Sequence, residues 1–419
     1  VWAACLGALV FALHPVQVEP VGWISGLKDV LSGMFALVAI YRFVIRAQRD
    51  DAAFAPDPLG TIALLLAMLA KPTACMTPVI TLILDWILIR RDLVRALRAN
   101  AVWLVMTIPF LVAARLSQGV EGIPGAPLWA RPFIFGDAVA FYVYKLVLPV
   151  WLTVDYGRRP GIVMQSWSFY LAWIVPVAIG AALCIARRRL AWLVAGALIF
   201  VAAFLPVSGL FRFQFQFTST VADHYLYLSM FGVGLIVACA LKDLNSTRAY
   251  AVASAIVALL GVRALFQTQY WKDDRVIFTH AIEVNPESFV GHTNLGHALA
   301  LAGERDAAIE EFRKSIALNQ DYPTAFEKLG WSLAEKGDID GAIAAIEKSI
   351  EIRARLPRSI FPNYMEDHNR IGQVLLSRGR YDDAIRHFEA LLAINPEHAE
   401  ARKYLEIAKT RKAATLPGS

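Results

Sequence analysis

The chain has 419 residues, of which 57% are hydrophobic and only 18% charged, and its mean hydropathy is +0.49. Soluble proteins carry charges on about a quarter of their residues, so this composition excludes an ordinary soluble protein. The four cysteines lie in or beside apolar segments, without CxxC or Cys/His spacing. They indicate packing thiols and neither a disulfide framework nor a zinc site.

The net charge of +6 is unevenly distributed. Residues 1–266 contain 21 Lys and Arg against 12 Asp and Glu, whereas the remainder contains 20 against 23. The basic excess lies in short loops between apolar runs. This pattern is typical of a positive-inside membrane protein and argues against a nucleic-acid patch.

Ten apolar segments predict membrane helices, and three of them are short for a hydrocarbon layer of about 30 Å. They cover residues 1–13, 29–45, 59–70, 73–89, 101–116, 138–154, 168–186, 190–206, 225–241 and 249–266. The first segment begins at Val1 without an initiator Met, and we expect the sequence to be truncated at this end. Lys71-Pro72 separates the third segment from the fourth, since proline disfavours helix before it.

The positive-inside rule sets the orientation. The clusters that should be cytoplasmic are Arg42/Arg46/Arg49, Arg90/Arg91/Arg95/Arg98, Arg187–Arg189 and Lys242/Arg248. They share one side if segment 138–154, which contains Lys145 and Pro149, is re-entrant or interfacial, leaving about nine spans. The outer face then holds loops 14–28, 71–72, 117–137, 155–167 and 207–222, and everything after residue 266.

The first outer loop runs from His14 through Glu19 to Lys28 and Asp29. Ionisable groups at a membrane surface tend to be paired or functional, which favours functional roles for His14 and Glu19. Asp29 fits helix capping equally well. Lys71, in the next outer turn, could extend its charge towards water or hold the phosphate of a lipid-linked donor.

The last outer loop of this part alternates aromatic and polar residues from Phe211 to Phe217. Its position between membrane segments predicts an interfacial aromatic segment rather than a strand. Arg212 and the motif Asp223-His224-Tyr225 bring further polar groups to the outer face. Interfacial anchoring is the alternative role of the tyrosine.

After residue 270 the sequence repeats with a period of 34 residues. Leu295-Gly296 recurs as Leu329-Gly330, and Ile371-Gly372 continues the pattern after eight additional residues around 353–362. This is the pattern of tetratricopeptide repeats (TPRs), pairs of antiparallel helices that stack into a solenoid. The predicted units are a partial repeat at 270–288, repeats at 289–322, 323–356 and 365–398, and a capping helix at 399–412.

The first helices of such repeats line a concave groove. His292, Asn294 and His297 could therefore contact a peptide there, although solvated or packing roles are the alternative. No Walker loop, GxGxxG, HExxH or Ser/His/Asp arrangement occurs. The sequence thus predicts an all-α fold, a polytopic membrane domain at 1–266 followed by a TPR solenoid.

The stretches FALHPVQVEPVGWISGLKDVLSGMFAL, LLLAMLAKPTACMTPVITLILDW and VADHYLYLSMFGVGL, followed by TPRs, resemble the transmembrane-and-TPR (TMTC) proteins. That family is similar to GT-C glycosyltransferases, which transfer a sugar from a polyprenyl-phosphate donor at the extracytoplasmic face. The animal members are linked to protein O-mannosylation. The resemblance therefore implies a membrane glycosyltransferase whose TPRs bind a protein or peptide acceptor.

The resemblance also implies roles for individual residues. Glu19, His14 and Asp29 are catalytic candidates, although GT-C enzymes carry their principal acid in an outer loop expected upstream of Val1. Lys71, Arg212 and Lys28 are candidates for the donor phosphate. His224 stands where the family typically has Arg, which weakens the case for a permanent cation.

The implied ligands are the bilayer, the lipid-linked sugar and an extracytoplasmic protein, with no nucleic acid and no assigned metal. The composition suggests a bacterial plasma membrane. A non-catalytic, membrane-anchored TPR scaffold is the competing hypothesis.

Overall fold

The computed structural model describes residues 1–49, 57–117, 126–355 and 364–415. Within these ranges every regular element is helical and no strand occurs, so the all-α prediction is confirmed. The chain forms two compact units, with the boundary between Pro286 and Glu287. Residues 118–125 of the predicted outer loop and 356–362 of the predicted insertion lie outside the described ranges.

The first unit is a bundle of apolar helices joined by short 3-10 turns. Its main α-helices are Trp2–Leu13, Leu27–Arg49, Pro58–Ala70, Thr77–Ile83, Leu93–Ser117, Arg131–Val147, Trp167–Ala172, Ile174–Ala186, Ala191–Phe204, Met230–Leu244, Thr247–Thr268 and Asp274–Val284. Two very short helices, Val18–Gly22 and Pro160–Val163, lie in the loops. A π-helical turn, Leu84–Ile89, extends Thr77–Ile83.

Five helical stretches of the described chain are long and apolar enough to cross a membrane: Ile24–Gln48, Pro72–Ile89, Leu93–Ser117, Trp167–Ala186 and Thr247–Trp271. The bent pair Trp2–Leu13 and Pro15–Gly22 would make a sixth. Pro58–Ala70 and Ala191–Val207 are shorter apolar helices. Eight of the ten predicted segments therefore correspond to these elements, and the figure of about nine spans stays a prediction.

The predicted segment 138–154 has the wrong bounds. Its helix begins at Arg131 and ends at Val147, because Leu148 leaves helical geometry directly before Pro149. The Lys145 ammonium donates to the carbonyls of Val150 and Trp151, at 2.7 and 3.1 Å. The chain after Val147 therefore turns back over the end of its own helix instead of continuing the segment.

The segment predicted to begin at residue 225 also starts later. Asp223–Leu226 forms a 3-10 turn, and the helix begins only at Met230. The aromatic loop before it contains a second 3-10 turn, Gln214–Phe217. The aromatic loop 211–217 therefore does not form a strand, as predicted from the sequence.

Glycines let several helices of the first unit approach closely. A Cβ on Gly7 would lie 2.3 Å from the carbonyl oxygen of Gly234, and a Cβ on Gly232 would lie 2.3 Å from that of Gly196. In a bilayer, helices associate through such small residues, since lipid supplies no hydrophobic drive between them. The helix Met230–Leu244 is held between two neighbours in this way.

The second unit contains paired helices followed by a final single helix. They are Phe289–Leu301 and Arg305–Leu318, Pro323–Lys336 and Ile339–Arg355, Tyr364–Ser377 and Tyr381–Ile394, and then Ala399–Thr415. In each pair the repeated glycine faces a large side chain of the second helix. A Cβ on Gly296, Gly330 or Gly372 would lie 2.5–2.7 Å from Phe312, Ile346 or Phe388.

The helix of the predicted partial repeat, Asp274–Val284, belongs to the first unit. His280 stacks on Tyr270, with ring centroids 3.6 Å apart, and its Nε2 lies 3.0 Å from the carbonyl oxygen of Leu152. The partial repeat is therefore packed with the membrane part.

A buried charged group joins the second and third repeats. Arg353 lies near the end of Ile339–Arg355 and is 5% exposed. Its guanidinium binds Glu327 at 2.5 Å and also forms an ion pair with Asp367. One side chain thus contacts the first helices of two successive repeats.

Candidate functional site

Glu19 and His224 bring two outer loops of the first unit together. Glu19 lies in the short helix Val18–Gly22 and is 2% exposed. Its carboxylate accepts the backbone N–H of His224 at 3.0 Å and lies 2.7 Å from Nδ1 of the same residue. Glu19 therefore fixes both the backbone and the ring of His224.

A second buried pair lies beside the first. Lys71 ends the helix Pro58–Ala70 in an extended conformation, and its ammonium forms an ion pair with Asp29 in the first turn of Leu27–Arg49. The side chains are 14% and 5% exposed. Burial lowers the pKa of Lys71, and the Asp29 carboxylate opposes that shift. Asp29 is thus a partner of Lys71 and not only a helix cap.

One small cavity connects the two pairs. Asp29, Lys71, His224, Tyr225 and Tyr227 line it, together with other residues. Its volume of about 20 Å³ is close to that of a single water site. The Lys71 ammonium lies 5.6 Å from the centre of the Tyr225 ring. A molecule much larger than water therefore does not fit inside this cavity.

Asp223 is buried on the other side of the same turn, at 2% exposure. The Tyr156 hydroxyl lies 2.9 and 3.0 Å from its two carboxylate oxygens. Burial, together with the negative charge of Glu19, raises the pKa of Asp223 well above its usual range. Two acids, Glu19 and Asp223, thus share one low-dielectric region.

Several residues of this region were missed by the sequence analysis. Tyr142 donates its hydroxyl to the carbonyl of Ala222, and Arg158 pairs with the buried Asp137. Thr220 in turn donates to the carbonyl of Arg158 at 2.8 Å. The only sequence signal was a short polar stretch at 155–159, which has no recognisable motif.

The remaining candidates of the first unit lie elsewhere or are used structurally. Nδ1 of His14 accepts the backbone N–H of Val16 at 3.4 Å, and Nε2 lies 3.2 Å from the carbonyl oxygen of Leu146. Both ring nitrogens are thus engaged in holding the loop. Lys28 is exposed, and Arg212 is half-buried without lining the cavity.

In the second unit, His292 is 8% exposed and its Nδ1 lies 2.6 Å from Glu311 in the other helix of its repeat. Asn294 and His297 are half-buried. The packing alternative therefore describes His292 better than a groove contact. Among the described residues, no group of three or more His, Cys, Asp or Glu side chains is placed to hold a metal ion.

Comparison with known families identifies the repeats. Two families described as tetratricopeptide repeat match the second unit, one over residues 293–357 and one over residues 365–398. The second match has the predicted bounds of the third repeat. Among solved structures, the crystal structure of MamA protein is 21% identical and covers 33% of this chain and 72% of its own, with a TM-score of 0.28.

Curated relatives extend over both units. The chain is 24% identical to Protein O-mannosyl-transferase F38B6.6 of Caenorhabditis elegans, over 75% of this chain and 46% of that protein. It is 24% identical to Protein O-mannosyl-transferase TMTC4 of Homo sapiens, over 74% and 48%. The chain thus spans about half the length of the curated relatives it matches. These findings confirm the resemblance to the transmembrane-and-TPR proteins, here an apolar helical unit followed by a TPR solenoid.

Proposed function

We propose that this chain is part of a membrane glycosyltransferase. It would transfer a sugar from a polyprenyl-phosphate donor to a protein on the extracytoplasmic face, with the repeats binding the acceptor or a partner. A bacterial plasma membrane is the proposed location. The observation that carries the proposal is the group formed by Asp29, Lys71 and His224 around one cavity, with Glu19 bound to His224, in a chain similar to O-mannosyl-transferases.

The proposed reaction needs two kinds of group. The acceptor hydroxyl attacks the anomeric carbon of the sugar, the bond from that carbon to the phosphate oxygen breaks, and the hydroxyl proton passes to a base. The departing lipid phosphate keeps the electron pair. A carboxylate close to the attacking oxygen and a cation close to the phosphate stabilise this transition state.

Lys71 is the proposed cation, and Asp29 is its positioning residue. A buried ammonium is costly without a counter-ion, so Asp29 keeps Lys71 charged while no phosphate is bound. Glu19 is proposed to position His224 through its two contacts with that residue.

The test is turnover of a polyprenyl-phosphate sugar by the purified protein in lipid nanodiscs, with an extracytoplasmic protein as acceptor. We expect Lys71→Ala to lower kcat by about 100-fold or more, as does loss of a single charge-stabilising donor in other enzymes. Lys272→Ala is the matched control, because Lys272 is an exposed lysine of the same unit.

Loss of Lys71 alone leaves Asp29 buried without its partner and could impair folding. The double variant Lys71→Met/Asp29→Leu removes both charges and should fold, yet remain as inactive as Lys71→Ala. An unaltered rate in either variant would remove Lys71 from the site. Absence of any transfer, with peptide binding by the repeats intact, would favour the scaffold alternative.

A further inference from the structure

Three arginines from separate elements of the first unit meet at one loop. Arg115 lies in the last turn of Leu93–Ser117, and Arg131 begins the helix Arg131–Val147. Arg115 donates to the carbonyl of Arg212 at 3.3 Å, and Arg131 donates to the carbonyl of Leu210 at 3.5 Å. We call Arg115, Arg131 and Arg212 the arginine patch.

The charge of the arginine patch has no counter-ion among the described residues. Within the described ranges, the side chains of Arg115 and Arg131 donate to backbone carbonyls, which accept hydrogen bonds but carry no net charge. Nε of Arg212 is buried without a hydrogen-bond partner in the same described part of the chain. Lys71 and Arg158, by contrast, each pair with an aspartate. The patch is therefore one place where this unit offers positive charge without a paired carboxylate among the described residues.

The surroundings of the patch are those of a membrane surface. Leu93–Ser117 is one of the helices able to span a bilayer, so Arg115 lies at the end of a span. Large apolar side chains beside the three arginines are exposed: Leu116 at 79%, Phe211 at 60% and Trp129 at 58%. Aromatic residues of this kind are enriched at the level of lipid headgroups.

We propose that the arginine patch binds the anionic phosphate of a lipid at the membrane surface. Guanidinium groups match phosphate with paired hydrogen bonds, and their charge attracts anionic headgroups. The exposed apolar side chains would lie against the lipid chain. Binding at this site does not require that the protein transfers a sugar, but the lipid could be either an anionic phospholipid or an isoprenoid phosphate.

The experiment measures lipid binding by native mass spectrometry on the purified protein. Protein in phosphatidylcholine nanodiscs is titrated in separate arms with phosphatidylglycerol, with a polyprenyl phosphate and with inorganic phosphate. We expect the triple variant R115Q/R131Q/R212Q to bind the anionic lipids at least about tenfold more weakly, because it removes three positive charges near the headgroups. The matched control is R187Q/R188Q/R189Q, which also removes three arginines at a helix end.

Each outcome decides the proposal. A loss confined to the polyprenyl phosphate arm identifies the site as one for the donor, and a loss in both lipid arms identifies a general headgroup site. Equal binding by the triple variant and the unmodified protein, or an equal loss in the control, would overturn it. If the triple variant does not fold, R115Q alone serves, since Arg115 is exposed and its side chain contacts one carbonyl among the described residues. Intact lipid binding without sugar turnover would reject the proposed function and leave this site standing.

Discussion

Lys71 and Asp29 show how much of a residue's environment can be predicted from the sequence alone. Both lie at ends of apolar segments, which marked them as polar groups near a membrane surface. Their pairing joins positions 42 residues apart, and that of Glu19 with His224 joins positions 205 apart. The sequence therefore singled out these four residues as site candidates and could not indicate which of them pair.

The residues that were missed have a common physical reason. Tyr142 and Asp137 lie within an apolar helix, where a single polar residue is indistinguishable from ordinary composition. Their roles depend on Ala222 and Arg158, which only the folded chain brings near. His14 is a candidate whose contacts likewise only the structure shows, since its ring contacts Val16 in its own loop and Leu146 in the helix Arg131–Val147.

Two buried histidines should make the stability of the third repeat depend on pH. The Nδ1 atoms of His368 and His387 are 3.0 Å apart, and burial lowers the pKa of each ring to about 4. In the unfolded chain these rings take up protons below about pH 6.5, whereas the folded rings remain neutral. Stability is thus full above about pH 6.5, and it falls as the pH drops towards 4.

Hydrogen exchange of peptides from residues 364–394 at pH 7 and pH 5, corrected for intrinsic rates, measures this effect. Burial raises the pKa of Asp367 to about 7, which acts in the opposite sense, so the comparison is with His387→Gln. The unmodified protein should lose more protection on acidification than the variant. An equal loss of protection in both proteins would contradict the assignment of the pH effect to the buried histidines.

At the scale of elements, the periodic part of the chain was the most predictable. The predicted repeat 365–398 coincides with a tetratricopeptide match, and the contacts between each repeated glycine and a large side chain follow from the repeat spacing. The bounds of the membrane segments were harder to predict. In the segment 138–154, for example, apolar residues continue beyond the helix end at Val147. Hydropathy alone does not register that Pro149 ends the helix before the apolar run is complete.

Helix packing in the membrane unit gives an element-scale test. Gly7→Ala should destabilise the protein by about 1–3 kcal/mol, because its new methyl group would meet the backbone carbonyl of Gly234. Gly180→Ala is the same chemical change in another apolar helix, and there nothing lies within 4 Å. It should be neutral or slightly stabilising, since alanine favours helix over glycine.

Thermal unfolding in detergent compares the two variants directly. The expected order of Tm is Gly180→Ala at or above the unmodified protein and Gly7→Ala clearly below it. If the Tm of both variants falls by the same amount, Gly7 is not required for close packing against Gly234.

At the scale of the whole molecule, the proposed function depends on which compartment holds each part. The arginine clusters predict that residues after 266 lie on the same side as Glu19 and Lys71. Only then could repeats that bind an acceptor present it to the membrane site.

A reporter enzyme that is active only outside the cytoplasm, fused after Ser419, tests this arrangement. We expect an active reporter there and an inactive one when it is inserted after Arg189, in a loop predicted to be cytoplasmic. A folded fusion that is silent after Ser419 and active after Arg189 would reverse the orientation, and the sugar-transfer proposal would be abandoned.

The Arg353 group also has a mechanical consequence. Additional residues between two repeats ordinarily create a hinge, since each repeat of a solenoid contacts only its neighbours. Here one guanidinium binds Glu327 before the additional residues and Asp367 after them, within the protein interior. The second and third repeats should therefore move as one rigid body. A force applied to one of them through a bound peptide would be transmitted to the other.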